Sequence, residues 1–227
     1  MCIRDRIGPG KGAMTSLLLE KCESLTAIEI DKDLIRFLKK AYGDKKNFNL
    51  IEKDILLYDP KELVRVNKLI GNIPYNISTP IIEWIIDNKS SFDEIFLMLQ
   101  KEFGERCVAQ PNTKSYGRLS IFVQCFFDVT VIREVDKSSF TPSPKVQSIF
   151  LKLTPKVSEM IPSSIQMKNL STLTREAFSK RRKLITNSLK SFFTEEDLVN
   201  LGVERKSRPE NLSVETYIKL AKSIQSG

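Results

Sequence analysis

Hydrophobic and polar residues follow two alternating patterns along the first two thirds of the chain. Short runs rich in β-branched and aromatic residues predict strands, and the stretches between them, with an apolar residue at every third or fourth position, predict helices. The runs that predict strands are 25–31, 49–54, 68–71, 94–100, 128–135 and 147–153. Strands that alternate with helices predict an α/β fold, in which a mostly parallel sheet carries helices on both faces and ends in an antiparallel pair.

The last third of the chain follows a different pattern. Residues 152–164 are rich in proline and serine and lack both periodicities, which indicates a linker. Beyond it, helical spacing with one broad apolar face runs from 170 to 193, and two shorter helical patterns follow. We therefore predict two domains, an α/β domain over residues 1–154 and a small all-helical domain over residues 155–227.

The composition excludes several kinds of chemistry. The 227 residues include no histidine, so histidine acid–base catalysis, Ser-His-Asp triads and histidine-ligated metals are excluded, and we predict no metal. The four cysteines lie far apart without a C-x-x-C pair, which argues against a zinc ribbon or a disulfide framework and favours the cytoplasm. No apolar run approaches the ~20 residues of a membrane span.

Positive charge is concentrated near the end of the chain. The formal net charge is +8, and the residues from Pro155 onward contribute 13 basic against 8 acidic side chains, or +5. Such a surplus suggests a polyanionic partner. The surplus includes a basic cluster of four consecutive residues, which are Lys180, Arg181, Arg182 and Lys183. Arg181 falls inside the apolar face, where it could extend over the core to solvent or anchor a phosphate or another domain. From charge alone a solvated face is the better interpretation of the cluster.

Three features near the predicted carboxyl ends of strands suggest a nucleotide site, because ligands of parallel sheets bind at that edge. Gly8 and Gly10 belong to a G-x-G-x-G turn that lets the backbone approach a ligand closely. Glu29 ends a strand 21 residues after Gly8, where an acid can accept both hydroxyls of a ribose. Asp54 could accept a hydrogen bond from an adenine amine, or it could cap a helix. Together they predict an adenosine-containing cofactor, and the absence of G-x-G-x-x-G disfavours a dinucleotide.

A fourth feature is the segment Asn72-Ile-Pro-Tyr-Asn76, between a predicted strand and a predicted helix. The amine of adenine is a poor nucleophile because its lone pair is delocalised into the ring. The Asn72 side chain and a backbone carbonyl at Ile73 or Pro74 can accept its two N–H groups and draw the nitrogen toward a tetrahedral geometry. Tyr75 offers a ring for stacking on a base taken out of its helix.

These motifs resemble the small-subunit ribosomal RNA adenine N6,N6-dimethyltransferases, the KsgA-type family. The resemblance runs from Ile7 almost to the end of the chain. Beside the segments above, it is carried by residues 99–102, 116–120, 140–148, 176–183 and 208–213. The pattern Phe-x-Pro-x-Pro-x-Val-x-Ser at 140–148 is highly specific.

The resemblance implies a Rossmann-like class I methyltransferase sheet with a small C-terminal helical domain. It implies S-adenosyl-L-methionine as methyl donor and two adjacent adenosines near the 3′ end of 16S rRNA, in the immature small ribosomal subunit, as substrate. By the same match, cofactor contacts fall to Gly8, Glu29, Asp54 and Asn72, and Phe140 joins Tyr75 in clamping the flipped adenine. The basic cluster is then expected to bind RNA, and the protein is expected to act as a monomer.

The chain departs from the family pattern before Ile7. The family has an acid just before Ile-Gly-Pro-Gly and an upstream Gln-Asn-Phe-Leu cofactor contact, whereas this chain begins Met-Cys-Ile-Arg-Asp-Arg. Three consecutive charges are unsuited to a strand buried on both faces. We interpret residues 1–6 as foreign to an otherwise matching sequence, with a divergent start as the alternative.

Other functions compete with this interpretation. Among enzymes they are the erythromycin-resistance type, which methylates an adenine of 23S rRNA, and a mitochondrial-type paralogue that is also a transcription factor. DNA adenine methyltransferases usually carry Pro at the position of Ile73. From another class comes an RNA-binding assembly factor without catalysis, which need not bind S-adenosylmethionine.

Overall fold

The computed structural model describes residues 3–10, 12, 14–60, 68–139, 145–156 and 162–224. Its strands are β1 (Ile3–Ile7), β2 (Ser24–Glu29), β3 (Phe48–Glu52), β4 (Lys68–Asn72), β5 (Glu94–Gln100), β6 (Phe127–Val135) and β7 (Ser148–Pro155). Its longer helices are α1 (Thr15–Leu19), α2 (Lys32–Tyr42), α3 (Ser78–Asp87), α4 (Lys101–Val108), α5 (Arg118–Phe126), α6 (Ser164–Ser179), α7 (Ile185–Ser188), α8 (Glu195–Asn200) and α9 (Val214–Ser223).

The seven strands form one sheet in the order β3-β2-β1-β4-β5-β7-β6. The first five are parallel, and β7 runs antiparallel to β5. The predicted α/β fold with a mostly parallel sheet is therefore confirmed. The charged segment before Gly8 forms the central strand β1, paired with β2 and β4. Strand pairing is made by backbone N–H and C=O groups, so three consecutive charged residues do not by themselves prevent it.

The core of the sheet lies on alternating positions of its strands. Ile95, Leu97 and Leu99 of β5 are fully buried, whereas the residues between them are only partly buried. The second face of this strand is therefore covered as well, but less completely than the first. There, Phe96 packs against Phe150 of β7 with ring centroids 6.2 Å apart.

Glu94 lies between two lysines where β4, β5 and β7 meet. Its carboxylate is 2.5 Å from the Lys68 Nζ and also pairs with Lys152. Hydrogen bonds from Lys152 and then from Lys68 hold the pKa of Glu94 below its usual range. A depressed folded-state pKa means that stabilisation is present above the unfolded pKa and is lost as the pH falls through the folded one.

We expect Glu94→Gln to lower the thermal midpoint at pH 7 and to lower it less at an acid pH below the unfolded-state pKa, where this stabilisation is being lost. Thermal unfolding of both proteins at the two pH values measures this difference. An equal deficit at both pH values would show that the charge of Glu94 contributes nothing to stability.

The chain packs as two compact units. Met1–Gly104 and Asp128–Pro155 form the sheet unit, and Glu105–Phe127 and Lys156–Gly227 form the helical unit. The break at Pro155 falls one residue after the predicted boundary, but residues 105–127 belong to the helical unit rather than to the predicted α/β domain. The reason is Tyr116, which is fully buried and donates a hydrogen bond to the Leu212 carbonyl at 2.9 Å.

Candidate active site

The strand register brings three of the predicted residues into one row. Ile7 of β1 is aligned with Ile28 of β2 and with Gly71 of β4, so the residues that follow them are neighbours. Those residues are Glu29, Gly8 and Asn72, in that order across β2, β1 and β4. Adjacent strands lie about 4.8 Å apart, so the row spans about 10 Å at the carboxyl edge of the sheet.

Gly8 and Gly10 make the turn after β1 possible. Their φ angles are +57° and +54°, in the left-handed region that side chains other than glycine rarely adopt. The Gly8 amide donates to the Ile28 carbonyl at 3.2 Å, and a Cβ on Gly10 would have no atom within 4 Å. Glycine is therefore required at position 10 by the backbone conformation and not by a lack of room. The space beside the Gly10 backbone is open.

The Glu29 carboxylate is held in place by the backbone that follows it. Its Oε1 accepts the amides of Ile30 at 3.0 Å and Asp31 at 3.1 Å, and Glu29 is only 7% exposed. Among the residues that the structure describes, no donor bonds Oε2. One oxygen therefore fixes the orientation of the group, and the other remains an acceptor.

Asp54 divides its oxygens in a similar way. Its Oδ1 accepts the Leu56 amide at 2.9 Å and caps a short 3-10 turn, Ile55–Leu57. The capping alternative is thus correct for this oxygen. Lys53, the residue before Asp54, donates its amide to the Glu29 carbonyl at 3.1 Å, so Asp54 lies beside the row.

Sequence reasoning missed Ile30. This residue follows Glu29 directly, and its side chain is 64% exposed. An exposed apolar side chain next to a fixed carboxylate at a ligand-binding edge offers a surface for a planar ring. The sequence does contain a signal for Ile30, because an isoleucine directly after a strand-ending acid is unexpected. At that point the chain leaves the sheet, and polar residues are the usual choice.

The Asn72 segment carries two acceptors, on consecutive residues, that no described donor bonds. Asn72 is exposed, and within the described parts of the chain its side-chain amide makes no hydrogen bond. The Ile73 amide donates to the Met98 carbonyl at 3.1 Å, which fixes the backbone at β5. The Pro74 carbonyl accepts the Ile77 amide at 3.1 Å, whereas no described donor reaches the Ile73 carbonyl.

Tyr75 opens a 3-10 turn, Tyr75–Ile77, and its ring is half-buried. The predicted partner of this ring, Phe140, lies outside the described residues.

The basic cluster follows α6 rather than lying on one helix. The predicted helix over 170–193 ends at Ser179, and α7 begins only at Ile185. Lys180, Arg182 and Lys183 are exposed in the connecting turn.

Arg181 has a different environment from its neighbours. Its Nε is 2.5 Å from the Glu210 Oε2, and one of its terminal nitrogens donates to the Thr113 carbonyl at 3.1 Å. Arg181, Glu210 and Thr113 all belong to the helical unit, so these contacts fasten the turn after α6 within that unit.

Other reactive groups are not available in the part of the chain that is described. Cys22, Cys107 and Cys125 are buried, and burial raises the pKa of the Cys107 thiol to about 12, so this thiol is inert at neutral pH. No cluster of three or more aspartate, glutamate or cysteine residues with metal-binding geometry occurs in the described ranges. None of the helices described is long and apolar enough to cross a membrane.

The sheet order, the glycine turn after β1, the acid ending β2 and the Asn72 segment after β4 define a class I methyltransferase. Residues 6–226 match the family described as ribosomal RNA adenine dimethylase. The chain belongs to this family of enzymes.

Three proteins show how close the similarity is. A Legionella pneumophila (strain Corby) protein named ribosomal RNA small subunit methyltransferase A is 40% identical over 97% of this chain and 86% of its own. The crystal structure of a dimethyladenosine transferase from Plasmodium falciparum aligns with a TM-score of 0.82 and 31% identity, over 97% of this chain and 88% of that one. The 23S rRNA methyltransferase ErmE aligns with a TM-score of 0.75 over 98% of this chain and 91% of its own, but at 22% identity it shows the fold alone.

Proposed function

We propose that this chain transfers methyl groups from S-adenosyl-L-methionine to N6 of two adjacent adenosines near the 3′ end of 16S rRNA, in the immature small subunit. The observation that supports the proposal is the row of Glu29, Gly8 and Asn72, in which a carboxylate suited to ribose hydroxyls and an amide suited to an amine share one edge of the sheet. The name of the Legionella relative supports the small subunit over 23S rRNA. The expectation of a cytoplasmic monomer stays a prediction.

The residues around the row fit the adenosine part of the donor. The Glu29 Oε2 would accept from the ribose hydroxyls, and the second oxygen of Asp54 would accept from the adenine amine. Ile30 would cover one face of the adenine ring. Gly10 leaves room for the amino acid part of the donor beside its backbone. The bound donor would supply the electrophilic methyl group.

The Asn72 segment would activate the substrate amine. Its side-chain oxygen and the Ile73 carbonyl would accept the two N–H bonds of the adenine amine, so that the nitrogen lone pair turns toward the methyl group. The structure favours Ile73 over Pro74 for the second acceptor, because the Pro74 carbonyl already bonds the Ile77 amide. We therefore revise the proposed role of Pro74 from acceptor to a residue that shapes the turn.

The RNA-binding role would fall to three members of the basic cluster, Lys180, Arg182 and Lys183, which are exposed. Arg181 donates to Glu210 and Thr113 with two of its five N–H groups, so we assign it mainly to supporting the turn that presents the other three.

The proposal is tested by incubating the protein with labelled donor and small subunits from a strain lacking the modification. Mass spectrometry of nuclease digests should show N6,N6-dimethyladenosine at two adjacent positions of 16S rRNA. Labelling of 23S rRNA instead would favour the erythromycin-resistance type. Particle binding without donor binding would favour the assembly factor.

We expect Glu29→Ala to weaken donor binding by about 1.5–3 kcal/mol, because a charge-assisted acceptor of the ribose hydroxyls is lost. Glu29→Gln keeps an oxygen for the two backbone amides and should lose less. Isothermal titration calorimetry measures both variants, with Glu20→Ala, an exposed acid after α1, as the control. Unchanged affinity in Glu29→Ala would show that Glu29 serves only its own loop.

A further inference from the structure

A hydrogen bond ties the ring of Tyr75 to a strand on the other side of β5. The Tyr75 hydroxyl lies 3.1 Å from the Ser148 Oγ, and either oxygen can donate. Tyr75 follows β4, whereas Ser148 is the first residue of β7. The bond therefore joins segments 73 residues apart in sequence at the carboxyl edge of the sheet.

The position of Ser148 makes this bond its main polar contact. Ser148 is 1% exposed and is paired in register with Gln100, the last residue of β5. A buried hydroxyl needs a hydrogen-bond partner, and within the described residues Tyr75 is the partner found for Ser148. The residues that follow on β7, Ile149 and Phe150, are apolar, so the hydroxyl is an exception on this part of the strand.

The Tyr75 ring is held at both ends. At its backbone end, the Tyr75 carbonyl accepts the Ser78 hydroxyl at 3.1 Å. At its far end, Ser148 holds the hydroxyl. Two fixed ends restrict rotation about both side-chain torsions, while the ring remains partly exposed. A ring that is already oriented loses little conformational freedom when a base stacks on it.

We infer that Ser148 is a positioning residue, which holds the Tyr75 ring in the orientation that receives the target adenine. The inference rests on the proposed function, since it takes Tyr75 as the stacking surface for the flipped base. Ser148 itself touches neither the donor nor the reacting amine in this scheme.

Two variants remove the bond from opposite ends. Ser148→Ala removes one hydroxyl, and Tyr75→Phe removes the other while keeping the aromatic ring. We expect each to lower the single-turnover rate of methyl transfer to unmodified small subunits by about three- to tenfold, the effect of one hydrogen bond. The donor Kd should stay near the wild-type value because the bond does not touch the donor, and the KM for particles should stay near it because one ring contributes little to holding a whole particle.

The double variant separates positioning from general structure. If the two hydroxyls act only through each other, Ser148→Ala/Tyr75→Phe should be no slower than either single variant. Ser148→Thr keeps the hydroxyl and should restore most of the rate. Ser188→Ala removes a buried, hydrogen-bonded hydroxyl from the helical unit and serves as the control, with the single-turnover rate unchanged.

A wild-type rate in Ser148→Ala, or multiplying losses in the double variant, would overturn the inference. If Ser148→Ala fails to fold, a wild-type rate in Tyr75→Phe overturns it equally. These outcomes are distinguishable from failure of the proposed function, in which wild-type protein would transfer no methyl group to 16S rRNA.

Discussion

Asn72→Ala is expected to lower the rate of methyl transfer by about 10²-fold or more, since removal of one oriented acceptor in a transition state costs that much. In the proposed reaction the amide oxygen of Asn72 would accept from an amine that gains positive charge as the methyl group is transferred, so its contribution would be largest in the transition state. The donor should still bind measurably, because Glu29, Asp54 and the glycine turn are untouched. Single-turnover transfer and calorimetry with donor separate the two effects.

Asn76→Ala is the matched control for this experiment. It removes an exposed amide from the same segment, four residues away, but at a position that does not end a strand. Its rate should stay near wild type, which would show that disturbing the turn is not enough to abolish transfer. Near-normal turnover in Asn72→Ala would contradict the role assigned to the amide.

The row at the carboxyl edge could be predicted because parallel strands place their last residues side by side. Glu29 and Asn72 are 43 positions apart in sequence, yet each directly follows a short apolar run, so strand recognition alone brings them together. What the pattern could not show is how each oxygen is used. For example, one oxygen of Asp54 caps a turn because of the local backbone path after β3. Hydrophobic periodicity does not encode that path.

The helical unit was harder to predict for a related reason. Apolar spacing continues from 170 to 193, but the helix stops at Ser179, and Arg181 in the turn that follows pairs with Glu210. Such a contact with a residue 29 positions further along the chain cannot be seen in the periodicity. In the same way, Tyr116 draws its segment into the helical unit through a hydrogen bond to Leu212, 96 residues away.

Neutralising Lys180, Arg182 and Lys183 together is expected to weaken binding to unmodified small subunits and to reduce its salt dependence. Each phosphate contact that is lost removes about 0.7–0.9 from the slope of log affinity against log salt, so three contacts should remove about 2–2.7. These three side chains are exposed, whereas Arg181 is left unchanged because its ion pair supports the helical unit. Donor binding should be unaffected, since the row of Glu29, Gly8 and Asn72, the proposed donor site, lies in the sheet unit.

The control removes the same charge from the other unit. Lys40, Lys45 and Lys46 are exposed on and just after α2, so neutralising them lowers the net charge equally without touching the basic cluster. If phosphate contact rather than total charge sets the slope, this control should keep a nearly wild-type slope.

Tyr75→Ala should show the reverse of the triple variant, because one aromatic ring contributes to chemistry but little to holding a particle. Particle binding should be nearly kept, and turnover should be lost. Particle affinity is measured against salt concentration for the wild type, for Tyr75→Ala and for the triple variant, and it separates a role in RNA binding from a role in methyl transfer.

An unchanged slope in the variant of Lys180, Arg182 and Lys183 would mean that the basic cluster is a solvated face. Affinity for the ribosomal particle would then have to come from surfaces other than this turn, and the proposed division between a unit that binds RNA and a unit that methylates it would be wrong.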